Sequence, residues 1–343
     1  MATLTDGADA RSSGSVTVKT VAAHAGVSAQ TVSRVLRGSG YVSPATRQNV
    51  LAAVDAVGYR PNAVGRSLRA AKTPMVGLVI TDITNPFYAS LHKAIEAVFR
   101  GRGLTLMLLN SDDDLETQRQ QLDLVSSYRP SGLLLAPAVD SSLTTEELAR
   151  FGNYVLVSRL LPGIDAPAVV TNEPEVMQEA TQALLAAGHR RIMAVLGPAA
   201  ASTTRRREEG YRTAMAIAGC EPLPYYTDQT ASGARQAVKD ALRARGDITA
   251  AVAFNGPVTE GILAGMRDMN LHCPQDLSLV GFTDAPWMEF FQPPITVVRQ
   301  PVEAMGELAA RLILDLIDGR PVENKPHVVP SRLLMRSSIV PPS

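Results

Sequence analysis

Residues Val16 to Lys72, VTVKTVAAHAGVSAQTVSRVLRGSGYVSPATRQNVLAAVDAVGYRPNAVGRSLRAAK, decide how this chain is read. The spacing predicts a short helix over Lys19–Ala25 that ends at Gly26, a residue free to take the left-handed turn of a helix terminus. Ser28 is placed to cap a second helix, Ala29–Arg37, in which Val32, Val35 and Leu36 recur at helical spacing. Ser43-Pro44 opens a third: an N-cap, then the one helical position that suits proline. Its apolar stripe is Val50, Leu51, Val54 and Val57, and it stops at Gly58. Two short helices joined by Gly26-Val27-Ser28 and braced by a third form a helix-turn-helix.

Charge agrees with that reading. The stretch holds Lys19, Arg34, Arg37, Arg47, Arg60, Arg66, Arg69 and Lys72 against Asp55 as its single acid. The whole chain balances 33 basic against 33 acidic residues, so the remainder is acidic and the basic charge is concentrated here. Such a patch attracts phosphate through Coulomb forces and counterion release.

Val18-Lys19-Thr20-Val21-Ala22 and the run Ala25-Gly26-Val27-Ser28-Ala29-Gln30-Thr31-Val32-Ser33-Arg34-Val35-Leu36 resemble the headpiece of the LacI/GalR family of bacterial repressors. The resemblance continues through Val42-Ser43-Pro44-Ala45-Thr46-Arg47 and Gly58-Tyr59-Arg60-Pro61-Asn62-Ala63. Further on it includes Gly188-His189-Arg190-Arg191-Ile192 and Val297-Val298-Arg299-Gln300-Pro301. It implies a transcriptional regulator that binds double-stranded operator DNA as a homodimer and answers to a small-molecule effector. The second helix would enter the major groove, with Ala29, Gln30 and Arg34 at the base-reading positions. Arg suits guanine O6/N7, Gln suits adenine N6/N7, and Ala suits a thymine methyl. Ser28, Thr31 and Ser33 fall where phosphate is contacted, which positions the helix without reading sequence; for Thr31 a structural role is equally open. The resemblance adds Tyr41 and Asn62 to the DNA contacts.

Pro61 to Arg69 reads either as a plain linker or, by resemblance, as a hinge helix that orders on DNA and wedges Leu68 into the minor groove. Gly65 stands where the family more often has alanine, which weakens such a helix by about 1 kcal/mol. Residues 1–15 are small and polar, the composition of a disordered tail.

Beyond Lys72 apolar runs alternate with helical patterns. Strands are expected at Met75–Ile80, Leu104–Leu109, Gly132–Ala136, Tyr154–Ser158, Ile192–Leu196, Ala250–Phe254 and Leu277–Gly281. Helices near Pro86–Arg102, Leu115–Ser127, Pro174–Ala187, Thr204–Ala218, Ala231–Ala244 and Val258–Met269 separate them, which means parallel sheets covered on both faces. The fold class is α/β: an all-α headpiece (residues 16–61), a hinge and linker (62–72), and a core (73–343). Resemblance makes that core a two-lobed periplasmic-binding-protein type I fold, with crossovers near Asn172, Val298 and Pro330. The first lobe would be about 73–172 and 299–329, the second about 173–298 and 330–343, with a helix over Val302–Ile317 returning to the first.

Ligands of open parallel sheets sit beyond the carboxyl ends of the strands, here between the lobes. The resemblance places Asn85, Phe87, Tyr88, Arg159, Asn172, Thr203, Arg207, Asn255, Thr283 and Gln300 there. The family's aspartates, which accept from sugar hydroxyls, are replaced by Ser158, Gly256 and Thr283, while Arg159 and Arg207 are kept. Cations with fewer carboxylates imply an acidic effector, a sugar acid, organic acid or sugar phosphate. A neutral sugar or nucleobase is the alternative.

An enzyme is disfavoured. No Gly-x-Gly-x-x-Gly follows a strand, and no phosphate-loop or Gly-x-Ser-x-Gly motif appears. Neither the five histidines nor Cys220 and Cys273 have metal spacing, so no cofactor is expected. No apolar stretch suits a membrane, no signal segment begins the chain, and a cytoplasmic location follows. The end at Pro341-Pro342-Ser343 carries no apolar heptad, so a tetramerisation tail is not expected.

Overall fold

The computed structural model describes residues 16–37, 40–59 and 72–342. The 1–15 tail and the hinge, with Asn62, Gly65 and Leu68, lie outside the described residues. Two units result: an all-α helix-turn-helix and an α/β core beginning at Lys72.

The first unit packs α1 (Val18–Ala25), α2 (Ala29–Arg37) and α3 (Pro44–Ala56) around Val21, Val32, Val35, Val50 and Ala53. Each start is fixed locally. Thr17 and Thr20 form a reciprocal capping box on α1, and Gly26 closes it at φ 65°. Ser43 Oγ accepts from the Thr46 amide at 3.2 Å to open α3. Asn49 Nδ2 donates to the Ala25 carbonyl at 2.8 Å and ties α3 to the end of α1. The expected stripe on α3 needs one correction. Leu51 is 46% exposed, and Ala53 takes the inward place with Val50, Val54 and Val57, the true i, i+3, i+4, i+7 set.

The core contains two six-stranded sheets. The first sheet uses β1 (Thr73–Ile80), β2 (Thr105–Asn110), β3 (Pro130–Leu135), β4 (Tyr154–Val157), β5 (Ala168–Val170) and β11 (Pro326–Val328). Its spatial order is β11-β5-β4-β3-β1-β2, all parallel. The second uses β6 (Ile192–Leu196), β7 (Leu223–Tyr226), β8 (Ala250–Ala253), β9 (Ser278–Phe282), β10 (Thr296–Arg299) and β12 (Arg332–Leu334), in the corresponding order β12-β10-β9-β8-β6-β7. The central strands are buried from end to end, as parallel strands covered on both faces must be.

Helices supply the cover. In the first lobe α4 (Pro86–Arg100) and α12 (Val302–Ile317) lie on one face, and α5 (Leu115–Ser127) with α6 (Thr145–Ala149) on the other. In the second lobe α7 (Glu173–Ala186) and α8 (Ser202–Ile217) share one face, and α9 (Ala231–Ala244) with α10 (Gly256–Asp268) the other. A short α11 (Pro286–Phe290) follows β9.

The chain passes between lobes at residues 171–172, 300–301 and 329–331. After the first two passages a helix returns down the lobe, so the next strand points back toward the cleft. The third passage has no helix. The chain therefore enters the second sheet from the cleft side, and β12 runs antiparallel to β10. Sequence patterning missed β5, β7, β10, β11 and β12, which at three or four residues are too short to show a period.

Candidate functional site

Two surfaces carry the chemistry. On α2 the buried side is Val32 and Val35, while Ala29, Gln30 and Arg34 are exposed on the other side. Ser28 Oγ accepts from the Thr31 amide at 3.1 Å and meets Thr31 Oγ1 at 2.9 Å, so these two hydroxyls cap the helix. Ser33 is half-buried, and Tyr41 is 91% exposed on the turn before α3. Exposed Lys19 and Arg47 add positive charge to the same unit.

The second surface is the cleft between the lobes. Thr81, Asp82, Asn85, Phe87 and Tyr88 reach it from the end of β1, and Ser158 and Arg159 from the end of β4. From the second lobe come Thr203, Arg207, Gln229, Phe254, Asn255, Thr283 and Gln300. The free space among them is about 40 Å³ and opens to solvent, room for about one water. Most polar groups here are already engaged within their own lobe. Asn85 and Asn255 cap α4 and α10 through the Phe87 and Val258 amides, at 3.1 and 2.8 Å. Thr81 Oγ1 donates to the Tyr88 hydroxyl at 2.8 Å, and burial pushes that phenol's pKa up. Thr283 Oγ1 donates to Gln300 Oε1 at 2.8 Å.

The two arginines differ from the expectation of free cations. Arg207 is buried with its guanidinium 4.0 Å from the Phe282 ring centre and 4.5 Å from that of Phe254. Its Nη2 donates to Glu173 Oε1 at 3.0 Å, its Nη1 donates to the Phe254 carbonyl, and its buried Nε has no partner. Arg206 Nε donates to the other Glu173 oxygen at 3.1 Å. Burial pushes the Glu173 carboxyl up, against the pull of both arginines, and pushes the Arg207 guanidinium down, against the pull of Glu173. Arg159 Nη2 donates to Asp113 Oδ2 at 3.1 Å and Nη1 donates to the Pro137 carbonyl at 3.0 Å. Burial opposes the Arg159 charge, but Tyr88 and Asp113 more than restore it.

The premise for an acidic effector therefore needs correction. Both arginines are already paired with carboxylates from other segments, Asp113 and Glu173, neither of which lines the cleft. Asn172 is also corrected. Its Oδ1 accepts from the Ser331 amide at 2.6 Å, bracing the first passage against the third and standing outside the cleft lining.

Asp113, Glu173 and Gln229 escaped the sequence reading. Asp113 lies in the run Asp112-Asp113-Asp114, which reads as a solvated turn. Glu173 precedes a helix proline, where an acid suits the helix dipole. Gln229 crosses the cleft: its Nε2 donates to Asp113 Oδ2, and Arg159 Nη2 donates to its Oε1 at 3.3 Å. Among the described residues no group of His, Cys, Asp and Glu is placed to hold a metal, and no helix is long and apolar enough to cross a membrane.

Comparison with known proteins agrees with this geometry. Residues 17–62 match the model for bacterial regulatory proteins of the lacI family, and residues 181–339 match a periplasmic binding protein-like domain. The HTH-type transcriptional regulator GalR of Escherichia coli K12 is 31% identical over 95% of this chain and 96% of its own. The structure of the transcriptional regulator CelR–cellobiose complex is 31% identical, covering 94% of this chain and 99% of that one, with a TM-score of 0.70. The lac repressor dimer bound to operator and the anti-inducer ONPF shares the fold, with a TM-score of 0.82 over 95% of this chain and 99% of that one at 22% identity. The chain belongs to the lacI family of bacterial regulatory proteins, as a DNA-binding transcriptional repressor with a ligand-binding core.

Proposed function

We propose that this repressor reads a near-palindromic operator with two copies of α2, and that a small polar effector bound between the lobes releases it. The observation that carries the DNA half is the sidedness of α2. Its apolar residues are buried, and Ala29, Gln30 and Arg34 are all exposed on a basic unit. Near-palindromy follows from a twofold dimer presenting one headpiece to each half-site. A second copy has a suitable face on the second lobe. A groove of about 580 Å³ runs beside Leu263, Met266, Trp287 and Phe291, and Phe290 next to it is 77% exposed. An apolar surface of this kind marks an interaction site.

Effector release rests on the cleft residues Asn85, Tyr88, Thr203, Asn255, Thr283 and Gln300, which present hydroxyls and amides from both lobes. A ligand that favours one lobe arrangement must change operator affinity by the same factor by which operator changes its own affinity. The test is selection of binding sites from random DNA, then anisotropy on the selected site with wild type and Arg34→Ala. We expect a twofold-symmetric site and a loss of about 1–3 kcal/mol for the variant. An unchanged ratio of specific to random-DNA binding in Arg34→Ala would remove Arg34 from base reading.

A further inference from the structure

We infer that Glu173 is the residue that sets the charge class of the ligand, holding the cleft to uncharged, hydroxyl-bearing molecules and excluding anions. The inference rests on the reading of the cleft as the effector site.

Glu173 is a carboxylate with no reason to be buried for packing. Glu173 is 2% exposed at the first position of α7, where a solvent-facing acid would serve the helix dipole equally well. Taking a carboxylate out of water is costly unless it is paired. Here each oxygen takes one arginine: Oε1 from Arg207 Nη2 and Oε2 from Arg206 Nε. A guanidinium offers its carboxylate-binding edge to one anion at a time. Glu173 occupies that site on Arg207 from inside the protein, before any ligand arrives. The Nε–H of Arg207 is buried without a partner, and the Phe254 and Phe282 rings hold the guanidinium in place. A single N–H contact suits a hydroxyl or ether oxygen, whereas an anion that took Nη2 from Glu173 would leave the buried carboxylate with Arg206 alone.

The rest of the site is balanced in the same way. Arg159 carries Asp113, and Arg206 and Arg207 share Glu173; Asp82, which lines the same cleft, accepts from Thr84 and adds a third carboxylate near the three guanidiniums. Asp113 and Asp82 are both partly reachable by solvent. Glu173 is the sealed member of the set, placed where a ligand cannot reach it and its charge cannot be screened.

The test uses the full chain and sulfate as the anion probe, against chloride at matched ionic strength, read by thermal shift. Wild type and Arg207→Met should show the same sulfate response. Glu173→Gln should bind sulfate about tenfold more tightly or better, since an uncompensated buried guanidinium seeks an anion. That gain should vanish in Glu173→Gln/Arg207→Met. Wild-type sulfate binding that is lost in Arg207→Met would overturn the inference, and this comparison stands even if Glu173→Gln fails to fold. So would a folded Glu173→Gln with no gain. A second arm keeps the effector reading separate. A sulfate gain in Glu173→Gln that leaves operator affinity unchanged supports the charge role of Glu173 and counts against the cleft as the releasing site.

Discussion

The two lobes share one strand order yet are assembled with different tolerances. In the second lobe, both helix pairs meet at backbone contact. A Cβ added at Gly210 on α8 would lie 2.0 Å from the Pro174 carbonyl oxygen on α7, and one at Gly261 on α10 would lie 2.3 Å from the Ala231 oxygen on α9. In the first lobe, the closest approach of this kind, Gly306 on α12, meets a side chain first, Ala94 Cβ at 2.6 Å, with the Leu91 oxygen at 3.0 Å. Most of the cleft's second-lobe groups are also fixed from within that lobe. The bonds that cross the cleft join Arg159 and Asp113 of the first lobe to Gln229 of the second. A rigid second lobe and a more adaptable first lobe suit a molecule in which one half holds the ligand and the other responds.

Gly210→Ala should break the second lobe most severely. No rotamer change can relieve contact with a backbone oxygen, so α7 and α8 must separate, at a cost of about 3 kcal/mol or more. Gly306→Ala should cost about 1–3 kcal/mol, because α12 can shift against a methyl group. Denaturant melts of the two variants check the order. Equal losses would mean that the lobes do not differ in tolerance.

Tyrosine offers the next comparison. Tyr211 is fully buried in the second lobe; its hydroxyl donates to the Ile192 carbonyl at 2.7 Å and accepts from the Leu223 amide at 2.6 Å. Tyr211→Phe leaves two buried backbone groups unpaired and should cost about 2 kcal/mol. Tyr88→Phe strands a single threonine hydroxyl and should cost about 1 kcal/mol, with its larger effect on effector binding. The same contrast appears against pH. Burial pushes the Tyr211 phenol up to about 12, from 10.0. Because the folded value is the higher one, its contribution is intact below about pH 10 and is lost as pH rises through about 12. Trp287 is the chain's single tryptophan and lies in the second lobe, so its fluorescence reports that transition. In Tyr211→Phe the alkaline loss between those values should be smaller.

The headpiece was legible because its determinants are local. Caps at Ser28 and Ser43, the turn at Gly26 and the valine spacing all act within a few residues, and only Leu51 was misplaced. The core's alternation was legible for the same reason. The cleft was legible only where a motif carried it. Asn85, Arg207 and Thr283 fall in recognisable runs, whereas Asp113 meets Arg159 across 46 residues of chain and Glu173 meets Arg207 across 34. Charge pairing of that kind depends on which strand ends face one another, and no local pattern encodes it. Two arginines kept from the family pattern, read without their distant partners, imply an anion that the paired arginines do not call for.

The smallest expected effect concerns backbone strain at matching places in the two lobes. Ser158, after β4, and Thr283, after β9, both have φ near 67°, in the left-handed region. That conformation is uncommon for any residue with a Cβ and worst for a β-branched one. Thr283 is held there by its amide donating to the Val298 carbonyl at 2.9 Å and by its bond to Gln300. Asparagine tolerates the left-handed region better than threonine or serine and can still bond Gln300. Thr283→Asn should therefore stabilise the core by about 1 kcal/mol, a rise of about 2 °C in Tm. Ser158→Asn should yield only a few tenths, about 0.3 kcal/mol, since serine is not β-branched. A larger gain at Ser158 than at Thr283 would place the greater strain in the first lobe, and with it the more tightly constrained half of the cleft.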